Sequence, residues 1–207
     1  MEKFDTLTAV AVPFEDVNVD TDQIIPARFL RTPRKAGYAP FLFHDRRLGQ
    51  DGQLLPGFPL DTAAYRGAAI LVANTNFGCG SSREGAVYAL MDSGFRAVIA
   101  PSMGDIFHNN CLKNGVLPVR LPEAAVASLR AALSAKPGAK ITIDLPAQTV
   151  THPNGEQSSF TIDPLAKRCL LEGLDEIALT KSFGTEIGAF VDQYRRRRPW
   201  LFEAAKS

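Results

Sequence analysis

The sequence predicts an α/β fold: a small parallel sheet with antiparallel strands added to it. Three observations carry this. Short, mostly apolar runs at Ala68–Ala73, Arg96–Ala100 and Val116–Val119 alternate with helical patterns, as buried parallel strands do. Gly94 and Gly115 stand where the two intervening helices must stop. Further on, Pro153-Asn-Gly155 separates two β-rich segments, the signature of a hairpin turn.

Taken in order, residues 7–14 alternate loosely and read as a first strand ending at Pro13. The stretch Asp16–Pro26 follows, in which Asp20 and Asp22 lie two apart. In an extended chain both carboxylates share one face, so a hard metal ion and a solvated acidic turn are both open readings. Residues 28–62 are irregular, with Arg28, Arg31, Arg34, Lys35, Arg46 and Arg47 interleaved with Phe29, Tyr38, Phe41 and Phe43. Basic and aromatic residues mixed in this way suit single-stranded nucleic acid, but a loop that reads a small acidic molecule or a partner surface fits the near-neutral chain better. This loop is expected to be mobile.

The strand Ala68–Ala73 leads through Asn74-Thr-Asn-Phe-Gly-Cys-Gly-Ser-Ser-Arg-Glu-Gly85 into a helix over about 82–93. After the strand Arg96–Ala100 comes the turn Pro101–Gly104, then a helix over Asp105–Asn114 and the strand Val116–Val119. Right-handed crossovers in this order place residues 75–83 and 101–105 side by side, beyond the carboxyl ends of the strands. An amphipathic helix spans 122–136, strands fall at 139–145, 149–152 and 158–162, and helices at 164–172 and 186–198 complete the chain. The run Arg195–Arg198 reads first as a solvated helix end that complements the dipole, and second as an anion site.

Bulk properties narrow the function. At 207 residues, 45% hydrophobic and 22% charged, the chain is long enough for one sizeable core. Lys+Arg of 23 against Asp+Glu of 22 gives no reason to expect nucleic acid or an anionic membrane as partner. Cys79, Cys111 and Cys169 are odd in number and form no CxxC pair, which disfavours a disulfide framework or a metal site and points to a reducing cytoplasm. The N-terminus lacks a basic, apolar leader, and no apolar run reaches the roughly eighteen residues of a membrane span, so neither export nor a membrane is expected.

The junction 78–85 carries the chemistry. Gly78-x-Gly80 opens a dinucleotide fingerprint, but Arg83 stands where the third glycine is needed. A nucleophile elbow needs glycines flanking Ser81, and Cys79 and Arg83 stand there instead. Cys79-Gly-Ser81 echoes a papain-type site only faintly, with His108 and His152 as the available bases. Ser81 and Glu84 have the spacing of a capping box, a helix start that needs no catalysis. Against that stand Arg83, a planar fork suited to carboxylates, two hydroxyls and two glycines that let a ligand approach the backbone closely. Together they suit a carboxylate-bearing substrate.

Asn76-Phe-Gly-Cys-Gly-Ser-Ser-Arg-Glu84, Phe95–Ser102, Asp105–Pro118, Val19–Pro26 and Arg168–Ile177 together resemble the small-subunit family of 3-isopropylmalate dehydratases, in the aconitase superfamily. The resemblance implies one swivelling β/β/α three-layer domain over 1–207, as in the aconitase C-terminal domain, with a substrate-reading loop at about 28–62 and a C-terminal helical extension at about 164–207. It implies a hydro-lyase that moves a hydroxyl between adjacent carbons through a cis-alkene diacid. Ser81 is then the base and Asp22 part of the acid–base apparatus. Ser82, Arg83 and Gly80 hold substrate carboxylate, and Arg31 reads the group that distinguishes substrates. No metal is expected in this chain; a [4Fe–4S] cluster is implied in a large-subunit partner, where its iron polarises the departing hydroxyl. The family pattern continues Ser-Ser-Arg-Glu with histidine, whereas this chain has Gly85, which puts the substrate in question among isopropylmalate, citramalate and homoaconitate. A non-catalytic anion-binding module and a self-sufficient serine hydrolase are the readings from other classes.

Overall fold

The computed structural model describes residues 1–202. The strands are β1 Thr6–Pro13, β2 Ile70–Val72, β3 Ala97–Ala100, β4 Leu117–Arg120, β5 Lys140–Asp144, β6 Thr149–Thr151 and β7 Gln157–Ser159. The helices are α1 Thr21–Ile24, α2 His44–Arg47, α3 Glu84–Asp92, α4 Asp105–Asn114, α5 Glu123–Ala135, α6 Pro164–Glu172, α7 Glu176–Ser182 and α8 Gly184–Arg197. The strands form one mixed sheet in the order β4-β3-β2-β1-β5-β6-β7. Both the parallel and the antiparallel parts expected from sequence are present.

The two parts meet in one strand. The N-terminal half of β1 pairs antiparallel with β5, Thr6 opposite Asp144 and Val10 opposite Lys140. Its C-terminal half pairs parallel with β2, Ala11 opposite Ile70 and Pro13 opposite Val72. The parallel part therefore has four strands, one more than the three read from alternation of strand and helix.

Alternation along each strand feeds two cores. Ala11, Ile70, Val72, Ile99, Leu117 and Val119 face Val126, Leu129 and Leu133 of α5, joined by Ile141, Ile143 and Val150 from the antiparallel strands. Val12, Leu71, Val98 and Ala100 face the other way, against Ala86, Val87 and Leu90 of α3 and Phe107 and Cys111 of α4. Burying each large aliphatic side chain contributes about 1.5–3 kcal/mol, which is why the parallel strands are apolar at every position but the exposed Arg120 at the end of β4. Helix ends follow local signals: Gly115 closes α4 in the left-handed region, and Asp163 caps α6 by accepting from the Leu165 and Ala166 amides. Among the described residues no helix is long and apolar enough to cross a membrane.

Residues 28–62 depart from the expected mobile loop. They run as 3-10 turns and the short α2, with Tyr38, Leu42, Phe43 and Phe58 buried in the α3-side core. The Phe43 ring stacks on Phe14 at 4.9 Å, and its backbone is held at φ 50° by donation of its N–H to the Ile24 carbonyl at 2.8 Å. A bulky residue in that region is strained, and it persists here because the core overdetermines it. Charges in the segment are matched as well: Arg28 pairs with Asp45, Arg34 with Asp92, Arg46 with Asp16 and Arg47 with Asp61. The interleaving of basic and aromatic residues is thus largely how an irregular chain is fastened to a domain.

At the C-terminus α7, capped by Asp175, precedes the one helix read there from sequence, which begins at Gly184 rather than Glu186. Residues 203–207 of the extension lie outside the described residues.

If residues 38–58 belong to the core, Phe43→Ala costs about 3–5 kcal/mol in chemical denaturation. A loss below about 1 kcal/mol would show the segment to be merely draped on the surface.

Candidate active site

The chain segments that leave β1, β2 and β3 converge at the carboxyl ends of those strands. On one side of the glycine-rich loop, the Phe77 amide donates to the Ser102 carbonyl at 3.1 Å, and the Gly104 amide returns to the Phe77 carbonyl at 2.9 Å. The Asn76 amide adds a bond to Ser102 Oγ at 2.9 Å. A Cβ on Gly104 would lie 2.5 Å from the Gly78 carbonyl oxygen, a contact with backbone that no rotamer relieves. On the other side the Gly78 amide donates to the Val19 carbonyl at 2.7 Å and the Thr21 amide to the Cys79 carbonyl at 2.9 Å. Residues 75–83 and 101–105 are adjacent, as the topology required, and residues 18–22 form a third wall.

Past this clamp the chain opens outward. Gly80 has φ 87°, a conformation other residues rarely adopt, and it turns the chain so that Ser81 and Ser82 are exposed. The buried Thr21 hydroxyl donates to the Ser81 carbonyl at 2.9 Å and fixes the serine from behind. Among the described residues the amides of Gly80, Ser81 and Ser82 donate to no other backbone group. They are therefore available to an anion placed over the loop. Arg83 is largely covered and its guanidinium pairs with the half-exposed Asp22 carboxylate, which also accepts from the Ala27 amide at 3.2 Å.

Two expectations are corrected here. Ser81 and Glu84 do not make a capping box. The first helical residue of α3 is Glu84, Arg83 is the N-cap without a side-chain cap bond, and Glu84 accepts instead from Asn114 Nδ2 at 2.8 Å. The helix begins two residues later than read from sequence, so the loop amides lie nearer to Ser81 than the helix terminus does. Asp20 and Asp22 do not share a face either. Asp20 caps α1 by accepting from the Gln23 amide at 2.7 Å, while Asp22, inside that helix, turns to Arg83.

The remaining candidates are placed as follows. Arg31 ends a 3-10 turn over Ala27–Arg31, is exposed, and makes no ion pair among the described residues. Its neighbour Leu30 packs over Gly85: a Cβ there would collide with Leu30 Cδ2 and lie 3.4 Å from Tyr38 Cε2. Gly85 thus gives up a side chain so that the 28–31 turn can sit on the first turn of α3. Burial, followed by the Asp20 charge, raises the Cys79 thiol above its ordinary range, and complete burial raises Cys111 further, so neither is a ready thiolate. Burial lowers His152, which bonds Ser158 Oγ at 2.9 Å within the β6–β7 hairpin and serves neither cysteine nor serine in the loop. Among the described residues no group of His, Cys, Asp and Glu is arranged to hold a metal, and the three cysteines do not fit an iron–sulfur cluster. Sequence reasoning missed the roles of Thr21 and Asn114, because both act on residues some 30 to 60 positions away.

The geometry can be set beside known proteins. The family model described as the aconitase C-terminal domain matches residues 1–124, and the model described as LeuD_N matches 127–164. The chain is 50% identical over 201 residues to a 3-isopropylmalate dehydratase small subunit of Paramagnetospirillum magneticum, spanning 97% of this chain and 100% of that protein. It is 49% identical to the protein of the same name from Roseobacter denitrificans, with the same coverage of both chains. Among solved structures, a 3-isopropylmalate dehydratase from Methanocaldococcus jannaschii superposes with a TM-score of 0.64 at 28% identity, covering 89% of this chain and 98% of that one. Full-length identity at this level, on a shared fold, makes the chain a member of the family of 3-isopropylmalate dehydratase small subunits.

Proposed function

We propose that this chain is the small subunit of a two-chain hydro-lyase that interconverts 2-isopropylmalate and 3-isopropylmalate by dehydration and rehydration, a step of leucine biosynthesis in the cytoplasm. The observation that carries the reading is the exposed Ser81, backed by uncommitted amides and flanked by Arg83. The small-subunit names of the relatives support a large-subunit partner, and the openness of Ser81 and Ser82 agrees with a site that a second chain must cover.

The chain's own part in the reaction follows from the geometry. Free serine is far too weak an acid to give an alkoxide, so Ser81 needs fixed positive dipoles, and the amides of Gly80 to Ser82 supply them at no reorganisation cost. Ser81 Oγ takes the carbon-bound proton as the alkene forms, and returns it on rehydration. A [4Fe–4S] cluster bound by the partner would supply Lewis-acid assistance for departure of the hydroxyl. Arg83 exchanges the Asp22 carboxylate for a carboxylate of the substrate, an even trade of one charge-assisted pair for another. Asp22 is thereby released to handle protons across the cleft. Ser82 and the backbone at Gly80 complete the carboxylate cradle.

Substrate choice rests on the 27–38 segment. Leu30 and Tyr38, lying over Gly85, suit an apolar group such as isopropyl. Arg31, exposed and in the same turn, suits a carboxylate in place of the isopropyl group, and this favours a homoaconitate-like tricarboxylate as the competing substrate class.

The decisive measurement is co-expression with a cluster-bearing large subunit and assay on 2-isopropylmalate, citramalate and homoaconitate. Alkene formation is expected only with both chains. Ser81→Ala is expected to lower kcat by about 10²–10⁴-fold with an unchanged circular dichroism spectrum; retained turnover would falsify its role as the base. Arg83→Lys should raise KM about tenfold, as expected when a bidentate pair becomes a point contact, and unchanged kinetics would remove Arg83 from the site. Asp22→Asn is expected to alter folding stability by less than about 1 kcal/mol, since its ion pair is half exposed, while activity falls. Full activity in that variant would leave Asp22 a surface residue.

A further inference from the structure

The C-terminal arm, α7 and α8 with the 3-10 turn Pro199–Leu201, is built differently from the domain that carries it. Neither α7 nor α8 buries a single residue. On α8, Phe183, Ile187, Phe190 and Tyr194 recur at spacings of four, three and four, the seam of a helix meant to pack against another chain segment. That seam is uncovered: Phe190 is 63% exposed and Ile187 44%, and Trp200 beyond the helix is 63% exposed. An apolar surface of this extent on a soluble chain marks an interaction site.

The end of the arm is organised before any partner arrives. Phe190 stacks on Tyr194 at 5.7 Å, and Tyr194 meets Phe202 edge-on at 6.1 Å. Arg195 lies over the Phe202 ring at 5.0 Å and Arg198 over Tyr194 at 5.5 Å. Aromatic residues and arginine are the types that dominate binding energy at interfaces, and holding one another in place lowers the entropy lost on docking.

We infer that this arm is the docking element for the large subunit, seated in an apolar groove with an acidic rim on that partner; the inference rests on the two-chain reading given above. Three observations select this occupant. Residues Glu203–Ser207 contain no large apolar side chain to match the seam. A second copy matches poorly in charge, because α8 sets Glu186 and Asp192 against the four arginines Arg195–Arg198, so self-pairing leaves excess positive charge facing itself. Finally, the arm is rooted beside the catalytic loop. Lys113 at the end of α4 pairs with Glu176 of α7 at 2.8 Å, and the adjacent Asn114 holds Glu84 in the first turn of α3. A cavity of about 330 Å³ between Glu84, Asn110, Lys113, Glu176 and Ile177 joins the two. One chain placed over Ser81 therefore also reaches the arm.

The test uses the full-length chain and the large subunit of the same organism, with association measured by titration calorimetry and turnover measured at saturating large subunit. Phe190→Asp and Ile187→Asp are expected to weaken association at least tenfold, with an unchanged circular dichroism spectrum and kcat within about twofold of the wild type. Arg196→Glu together with Arg197→Glu should also weaken it and flatten its salt dependence, whereas Thr185→Asp, on the face opposite the seam, should leave it unchanged. Wild-type affinity in both seam variants overturns the inference. So does a wild-type chain that self-associates through this seam while binding its partner equally well in the variants. A wild-type pair that assembles, and that the seam variants disrupt, yet forms no alkene, sinks the proposed reaction and leaves the docking arm standing. A wild-type chain that does not bind the large subunit at all overturns both.

Discussion

The structure depends on the backbone hydrogen bonds that grip residues 76–79 from both sides. Gly78 and Cys79 are fastened to Val19 and Thr21, Phe77 to Ser102 and Gly104. Each bond contributes only about 0.5–1.5 kcal/mol, but all act on four consecutive residues, and together they remove the freedom a glycine-rich loop would otherwise keep. A loop left mobile would offer its amides to an anion only after losing entropy on binding. Held in this way, the chain enters Gly80–Ser82 from a fixed position. The neighbouring strands thus do for Ser81 what a helix terminus alone does not, since α3 begins three residues further on.

Electrostatically the site is at rest as an ion pair. The Arg83 guanidinium is mostly sheltered, and a sheltered charge without a partner is unfavourable by several kcal/mol, so the Asp22 carboxylate supplies that partner. The arrangement keeps the arginine in place. Beside this pair, the missing side chain of Gly85 lets Leu30 approach the first turn of α3.

Much of the fold was legible in sequence wherever both ends of an element carry local signals. The helices Asp105–Asn114 and Pro164–Glu172 were read to the residue, because a glycine stop and an acidic or proline start are properties of the chain itself. The parallel pairing of β1 with β2 was not legible, because residues 14–69 connect the two strands without a long crossover helix to announce it. The core role of residues 38–58 was hidden for a similar reason: Phe43 and Phe58 follow no period, and only the position of Phe14 shows where their rings go. At the site, residue types were readable and geometry was not. The spacing of Ser81 and Glu84 satisfies a capping rule that the structure does not use, and Asp20 and Asp22 separate because one caps α1 and the other lies within it. Short elements of four residues or fewer are set by their neighbours, which no local pattern records.

The double pairing of β1 has a consequence during synthesis on the ribosome. This strand leaves the ribosome before either of its partners, residues 70–72 and 140–144. Until both have been made, the strand keeps unsatisfied edge groups, the state in which a β-segment adds to another chain instead of its own. Sequence separation of this size also slows folding, because loops of tens of residues must close before their contacts give any return. The strand that unites the two halves of the sheet is therefore also the strand of that sheet that waits longest for its partners.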